Sequence, residues 1–211
     1  MGKFLDGLSE KYDVDILYIV PYMEMRDVAR STGRLIILAP YMDCLRPGRG
    51  MGYVLPEGLK AAGAAGVLMN HSEKPMSISA VKRTIDRANE LDMLSFSCAD
   101  SVAEARAIAQ LGPDIMNPEP TERIGSGVAS DMTYVMDTIR EIKAINPDIL
   151  IEQAAGITRG DQVYDFIMAG SEGAGAGSGI FTAKDPKAAA EEMIAAVKRA
   201  RGDIEKTGRR V

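Results

Sequence analysis

Tryptophan is absent from this chain of 211 residues, which also has a single histidine and two cysteines, Cys44 and Cys98. Two cysteines provide no disulfide framework, and they favour a reducing compartment, for which we expect the cytoplasm. One histidine without a cluster of carboxylates argues against the usual transition-metal sites. We therefore expect neither a metal ion nor a cofactor.

Long apolar runs and an excess of basic residues are also missing. The chain has 25 lysines and arginines against 30 acidic residues, which gives a net charge of -5, and the basic residues are scattered. Nothing in this pattern would attract a nucleic acid. No run approaches the roughly 18 apolar residues of a membrane span, and no secretion signal follows Met1. Neither a nucleic acid nor a membrane is the expected partner.

The composition is that of an ordinary globular protein, with 46% hydrophobic and 26% charged residues, and we expect one domain over residues 1–211. Short apolar runs alternate with amphipathic segments. Their continuous hydrophobicity predicts strands buried on both faces, as in a parallel sheet. The predicted strands are Asp15–Val20, Leu35–Ala39, Gly66–Met69, Leu94–Cys98, Asp114–Asn117, Ile149–Glu152 and Gly173–Ala176.

The segments between these strands have the signals of helices. Ser77 is a predicted N-cap, and it precedes a core-facing stripe that begins with Ile78 and Val81. The last helix is predicted to begin at Asp185-Pro186 and to bury Ala189. Repeated strand–helix units predict a parallel α/β fold, and the pattern alone allows a closed barrel or an open, doubly wound sheet.

Active sites of parallel α/β proteins lie at the carboxyl ends of the strands, and two candidate residues occur there. His71 follows the third predicted strand, where an imidazole can act as an acid or electrophile; the plain alternative is a structural histidine. Glu119 follows the fifth strand between Pro118 and Pro120, which restrict its backbone. It is a candidate general base, and the alternative is a loop carboxylate in solvent.

Glycines mark two further functional candidates. The segment Pro120–Gly127 begins with a rigid proline and contains Gly125 and Gly127, a composition suited to a closing lid. Gly156 and the segment Gly177–Gly179 could offer backbone N–H groups to a phosphate. Close packing of small residues would explain the preceding glycines equally well. No G-x-S-x-G elbow is present to support a hydrolase.

Taken in order, several segments resemble the triosephosphate isomerase family in its shorter, archaeal-type form. They are Gly52–Glu57, Gly63–Gly66, Asn70–Glu73, Pro118–Pro120, Ile124–Gly127, Ala155–Thr158, Ser178–Ile180 and Lys184–Pro186. The resemblance covers essentially the whole chain. It implies a TIM (β/α)8-type barrel and an aldose–ketose isomerase of a small phosphorylated sugar, with interconversion of glyceraldehyde 3-phosphate and dihydroxyacetone phosphate through an enediolate.

The resemblance also implies roles for individual residues. His71 corresponds to the family's electrophile and Glu119 to its base, while Pro120 through Gly127 correspond to the lid. Cys98 matches a structural cysteine. The implied phosphate contacts, through backbone and hydroxyl groups, are Gly156, Thr158, Ser178 and Gly179.

The family pattern is broken in three places. The first strand with its Asn-x-Lys has no counterpart, since the chain starts with a predicted helix, Gly2–Lys11. Tyr41 and Met51 stand in segments where the family usually has other residues. Either the sequence starts downstream of that strand, or the chain is a divergent paralogue that binds a phosphorylated ligand with altered specificity or without catalysis. A phosphate-handling lyase or epimerase on the same barrel is a third possibility.

A barrel that lacks one strand exposes two strand edges, which favours association with other chains. We therefore expect a homo-oligomer, either a dimer or a tetramer.

Overall fold

The computed structural model describes residues 1–208, in which strands and helices alternate. The strands are β1 (Leu17–Ile19), β2 (Ile36–Ala39), β3 (Gly66–Met69), β4 (Leu94–Ala99), β5 (Ile115–Pro118), β6 (Leu150–Gln153) and β7 (Gly173–Ala174). The helices are α1 (Gly2–Tyr12), α2 (Tyr22–Ser31), α3 (Pro56–Ala62), α4 (Ile78–Glu90), α5 (Val102–Ala109), α6 (Met132–Ile145), α7 (Gly160–Met168), α8 (Ser178–Phe181) and α9 (Pro186–Thr207).

The sheet has seven strands in the order β1-β2-β3-β4-β5-β6-β7, and every neighbouring pair is parallel. Within residues 1–208, β1 and β7 do not pair with each other, so the sheet curls as a half-barrel with an open side. The prediction of a TIM-type barrel that lacks one strand is confirmed. Each predicted strand overlaps an observed one, although β1 and β7 are shorter than expected.

Side chains of successive residues alternate between the two faces of the curled sheet. Ile37, Val67 and Met69 point outward and pack with Val81 and Ile85 of α4 in the larger core. The residues between them form a second, smaller cluster on the inner face. This cluster consists of Leu38, Leu68, Phe96, Cys98 and Ile115. The inner face is the surface from which functional side chains reach the carboxyl end of the barrel.

Side-chain caps begin some of the helices that follow the strands. The hydroxyl of Ser77 accepts a hydrogen bond from the N–H of Ala80, and Asp185 accepts from the N–H groups of Lys187 and Ala188, which confirms both predicted caps. Two details of the predicted stripes are wrong. Ile78 is exposed, because the buried face of α4 is turned toward Thr84 and Arg87. In α9, Ala190 is buried in place of Ala189.

No helix in the described part of the chain is long and apolar enough to cross a membrane.

Candidate active site

His71 lies in a loop that is fixed to the barrel by the residue before it. Asn70 follows β3 with a φ of 57°, in the left-handed region that asparagine tolerates better than most residues. Its side-chain amide donates to the carbonyl of Cys98 and to Glu104 Oε1, both at 3.0 Å. Its Oδ1 accepts from the N–H of Met76 at 2.8 Å. These bonds tie the loop to β4 and α5 and thereby fix the start of the His71 segment.

The imidazole of His71 accepts a hydrogen bond at Nδ1. The donor is the backbone N–H of Glu73, at 3.2 Å. The carboxylate of Glu73 lies 3.9 Å from the same nitrogen and is largely exposed, so the backbone contact is the stronger constraint. An Nδ1 that accepts an N–H carries no proton, and the proton of the neutral ring is therefore on Nε2. This tautomer leaves an Nε2–H donor for a ligand.

Glu119 is held at the end of β5 by backbone and side-chain contacts. Its N–H donates to the carbonyl of Ala99 at 2.7 Å, and Nδ2 of Asn117 donates to its Oε2 at 3.0 Å. Burial raises the pKa of the Glu119 carboxyl, while hydrogen bonds from Asn117 and the Ala155 backbone, and a positive charge on His71 when its ring is protonated, act in the opposite direction. A carboxylate with a raised pKa is a stronger base, and these donors fix its direction.

His71 and Glu119 follow the carboxyl ends of β3 and β5, and they are close enough for a charge on His71 to act on the pKa of Glu119. The carboxyl group of Glu119 is partly buried and bonded on both sides, so it is not a loop carboxylate in solvent. The catalytic roles of both residues stay predictions, since the geometry alone does not demonstrate them.

The predicted lid follows Glu119 directly. It contains a 3-10 turn at Thr121–Arg123, and then Gly125 and Gly127 with φ values of 69° and 71°. A side chain at either glycine would meet nothing within 4 Å. The hydroxyl of Ser126 donates to the carbonyl of Arg123 at 2.7 Å and accepts from the N–H of Val128 at 3.0 Å. The lid is an exposed loop with a small hydrogen-bonded turn of its own.

The base of the lid lies against the loop that contains Gly156. This glycine has a φ of 68°, and a methyl group on it would overlap the carbonyl group of Val128 and lie 2.8 Å from the nitrogen of Ala129. Only glycine fits both the conformation and the space. The requirement for glycine at this position therefore comes from the close approach of two backbones.

Three other predicted phosphate contacts lie near this loop or just after β7. A methyl group on Gly179 would overlap the carbonyl of Ile157 and lie 3.2 Å from Cα of Thr158, so the two segments touch. The N–H of Thr158 already donates to Gln162 Oε1 at 2.9 Å, which leaves its exposed hydroxyl as the available group. Ser178 is exposed at the start of α8.

Two cavities flank the lid, with volumes of about 410 and 380 Å³. The first is lined by the end of the lid and by α7, including Val128 and Phe166. The second lies between the lid and the starts of α5 and α6, and it is lined by Glu122 and Tyr134 among others. Neither His71 nor Glu119 lines either cavity. These two residues instead lie at the open carboxyl edge of the sheet.

The comparison with known proteins agrees with this geometry. The family model described as Triosephosphate isomerase matches residues 1–197. The chain belongs to the triosephosphate isomerase family. It is 36% identical over 197 residues to the triosephosphate isomerase of Methanothermus fervidus, an alignment that covers 92% of this chain and 88% of the relative. Identity is 32% over 200 residues to that of Methanothermobacter thermautotrophicus, with 93% and 87% covered.

A third relative, the triosephosphate isomerase of Methanocaldococcus jannaschii, is 29% identical over 197 residues, with 92% of this chain and 90% of the relative covered. The family resemblance inferred from the sequence segments is thus confirmed.

This triosephosphate isomerase family member also has a partly buried glutamate, Glu152, that the sequence analysis missed. Glu152 lies in β6, where burial, and to a lesser extent Glu119, raise the pKa of its carboxyl to about 8. Its Oε2 is shielded from solvent and has no hydrogen-bond partner among the described residues. A glutamate at the end of an apolar run, Ile149–Glu152, was the signal that could have identified it.

Residues 1–208 contain no group of three or more metal-binding side chains.

Proposed function

We propose that this chain interconverts glyceraldehyde 3-phosphate and dihydroxyacetone phosphate through an enediolate. The observation that supports this most is the pairing of Glu119 with His71. A partly buried carboxyl with a raised pKa lies at the same end of the sheet as a histidine whose Nε2–H is available as a donor. A glutamate base beside a neutral histidine is the known pattern of triosephosphate isomerases. The chain's membership of that family supports the same reaction.

The two residues divide the proton transfer between them. Glu119 would take the proton from the carbon next to the carbonyl, so that a C–H bond breaks and a carboxyl O–H bond forms. The electron pair passes to the carbonyl oxygen as the enediolate develops, and Nε2–H of His71 would donate a hydrogen bond to that oxygen. The hydroxyl proton on the neighbouring oxygen would pass by way of Nε2 of His71 to the former carbonyl oxygen, and Glu119 would return its proton to the former carbonyl carbon, so that the new carbonyl group forms on the carbon that lost its proton. General base catalysis of this kind contributes roughly 10²–10⁴-fold to the rate.

The phosphate group would bind to the glycine-rich loops near the base of the lid. The proposed contacts are the backbone of Gly156 and Gly179 and the hydroxyls of Thr158 and Ser178. Gly125 and Gly127 would let the lid close and exclude water from the enediolate. Thr158 would use its hydroxyl, because its N–H is already bonded to Gln162.

A second candidate function is the binding of a phosphorylated ligand without isomerisation, or with altered specificity. It is favoured by the segments around Tyr41 and Met51, where the family usually has other residues. The hydroxyl of Tyr41 bonds to Asp43 Oδ1 at 3.0 Å, and Met51 is fully exposed. Lys74, three residues after His71, lies over the ring of Tyr41, with Nζ 4.5 Å from the centroid.

The replacement Glu119→Gln separates the two candidates. It removes the base and keeps the shape, so we expect kcat for triose phosphate isomerisation to fall by roughly 10²–10⁴-fold while the dissociation constant for the substrate changes little. Glu10→Gln is the matched control, since Glu10 is exposed on α1, and it should leave kcat unchanged. Solvent deuterium incorporation into dihydroxyacetone phosphate, followed by NMR, checks proton transfer directly.

Two results would contradict the proposal. Unchanged isomerisation in Glu119→Gln would refute the assigned base. Binding of the phosphorylated sugar by the unaltered protein without deuterium incorporation would favour the non-catalytic paralogue. We also propose that the chain forms a homo-oligomer, because β1 and β7 leave unpaired edges in the described structure.

A further inference from the structure

Two buried oxygen atoms of residues on the inner face of the sheet have no hydrogen-bond partner in residues 1–208. They are Oε2 of Glu152 and Oδ1 of Asn117. The side chain of Asn117 cannot exchange its two ends freely, because its Nδ2 already donates to Oε2 of Glu119. Both unpaired atoms are acceptors unless a proton is present on the carboxyl group of Glu152. Buried polar atoms are rarely left unpaired, so the pair requires an explanation.

The register of the sheet places these two residues side by side. β5 and β6 pair Ile115 with Leu150 and Met116 with Ile151, and the next position along each strand is Asn117 and Glu152. Strand alternation puts both on the same face as Ile115, which belongs to the inner cluster. Neighbouring side chains on one face of paired strands are within reach of each other.

Gly175, just after β7, makes room for the carboxyl group of Glu152. The strand residue Gly173 pairs with Glu152 in the sheet. A methyl group on Gly175 would overlap Oε1 of Glu152 and lie 3.0 Å from its Cδ. Because Gly175 has no side chain, the carboxyl group fits inside the curled sheet between β5 and β7. The site is therefore shaped around this side chain.

We propose that Glu152 is a positioning residue whose protonated carboxyl donates its O–H to Oδ1 of Asn117, which in turn holds Glu119 through its amide. The inference rests on the proposed function, because it assigns Glu119 the role of the base. One proton satisfies both unpaired oxygens at once. It also polarises the amide of Asn117 and strengthens the bond that Asn117 donates to Oε2 of Glu119.

The surrounding charges keep this proton on Glu152 at neutral pH. Burial is the larger cause of its raised pKa, about 8, and the charge of Glu119 adds to it. The buried thiol of Cys98 on β4 is also coupled to it: burial, Glu119 and Glu152 raise the pKa of this thiol, while a hydrogen bond from Asn117 acts in the opposite direction. Each of these groups, when ionised, would disfavour a second negative charge on Glu152.

We call the hydrogen bonds from Glu152 through Asn117 to Glu119 the relay. Loss of the proton on Glu152 would break it. Above about pH 8 the carboxylate of Glu152 can no longer donate, and it repels the carboxylate of Glu119. We expect kcat to decline there while KM stays nearly constant, because Glu152 lies in the sheet and none of the proposed phosphate contacts involves it. This separation distinguishes a positioning role from general damage to the fold.

Two replacements of Glu152 test the relay through kinetics. Glu152→Gln keeps an N–H donor for Asn117 and cannot ionise, so it should keep kcat within about threefold and remove the decline near pH 8. Glu152→Met removes the donor, and kcat should fall about three- to tenfold at pH 7, the usual effect of one hydrogen bond, with KM nearly unchanged. Glu10→Gln is the control, since Glu10 is exposed on α1 and takes no part in the relay. Equal kcat in the Gln and Met variants would overturn the proposal.

A second measurement does not depend on activity. In the unaltered protein, ¹³C NMR of the glutamate carboxyl groups should show Glu152 titrating near pH 8. The side-chain ¹⁵N signal of Asn117 should shift with the same midpoint, and this shift should be absent in Glu152→Gln. An Asn117 signal that stays constant through the titration of Glu152 would refute the relay, as would a Glu152 that titrates in the ordinary carboxyl range. A protein with this NMR behaviour and no isomerase activity would refute the proposed function alone.

Discussion

The backbone contact between Gly156 and the base of the lid gives a prediction that can be worked out from the structure. In Gly156→Ala, the new methyl group would overlap the carbonyl of Val128 and lie 2.8 Å from the nitrogen of Ala129. Both of these are backbone atoms, so they cannot swing away as the end of a flexible side chain can. The loop or the lid must shift, and we expect the variant to lose stability for two separate reasons.

The first reason is conformational, and a matched glycine measures it alone. Gly112 has a φ of 71°, against 68° at Gly156, but a methyl group on it would meet nothing within 4 Å. Gly112→Ala should therefore lower the free energy of unfolding by about 1–2 kcal/mol, because alanine disfavours the left-handed conformation. This loss is reduced by a few tenths of a kcal/mol, because alanine restricts the unfolded chain more than glycine does. Overpacking adds about 1–3 kcal/mol at Gly156. The total loss of unfolding free energy expected for Gly156→Ala is about 2–4 kcal/mol.

Equilibrium unfolding in urea measures both variants against the unaltered protein. The same free energy of unfolding for Gly112→Ala and Gly156→Ala would refute the argument, because the two positions share their φ and differ only in the space around them. A shifted Gly156 loop should also raise KM for the phosphorylated sugar in the Gly156 variant. Gly112→Ala should leave KM unchanged, because Gly112 lies in the turn after α5.

Two further predictions concern stability. In the folded protein the pKa of Glu152 is raised from its ordinary value of 4.5 to about 8. The contribution of the protonated carboxyl to the free energy of unfolding is therefore fully present below pH 4.5 and is lost as the pH rises to about 8. The free energy of unfolding, measured in urea across this range, should therefore fall with pH in the unaltered protein relative to Glu152→Gln, and a constant difference would contradict it. Arg87→Met should destabilise the chain by about 2 kcal/mol in the same assay, because it leaves Glu57 partly buried without its ion-pair partner. An unchanged unfolding midpoint would show that this ion pair contributes nothing.

The strands and some of the helix starts could be predicted because their signals are local. Continuous apolar runs identified the strands, and the Ser77 and Asp185 caps identified two helix starts. The ends of the sheet were less predictable. The apolar run at Gly173–Ala176 is twice as long as β7, since only Gly173 and Ala174 have partners on β6. Pairing with a neighbour limits such a strand, and one segment's sequence does not report it.

The candidate site, like the fold, could be predicted where its signals are local. His71 and Glu119 follow strands directly, and strand ends are where parallel α/β proteins keep their functional groups. The relation between Asn117 and Glu152 depends on the register of β5 with β6, and the need for glycine at Gly156 depends on the distant Val128. Residues 28 or more positions apart in sequence leave no periodic signal of their contact, so these features required the three-dimensional structure.

The surroundings of Glu119 and Glu152 on the inner face explain which of the two carboxyl groups is ionised. Glu119 and Glu152 share a surface lined by Leu38, Leu68 and Phe96, where a second negative charge would have little solvent to stabilise it. Glu119 receives hydrogen bonds from Asn117 and the Ala155 backbone, whereas Glu152 has none to its Oε2. Glu119 is therefore the carboxyl group that ionises first, and Glu152 is the one that keeps its proton. A base that must be ionised at neutral pH is stabilised in that form by a neighbour that remains neutral.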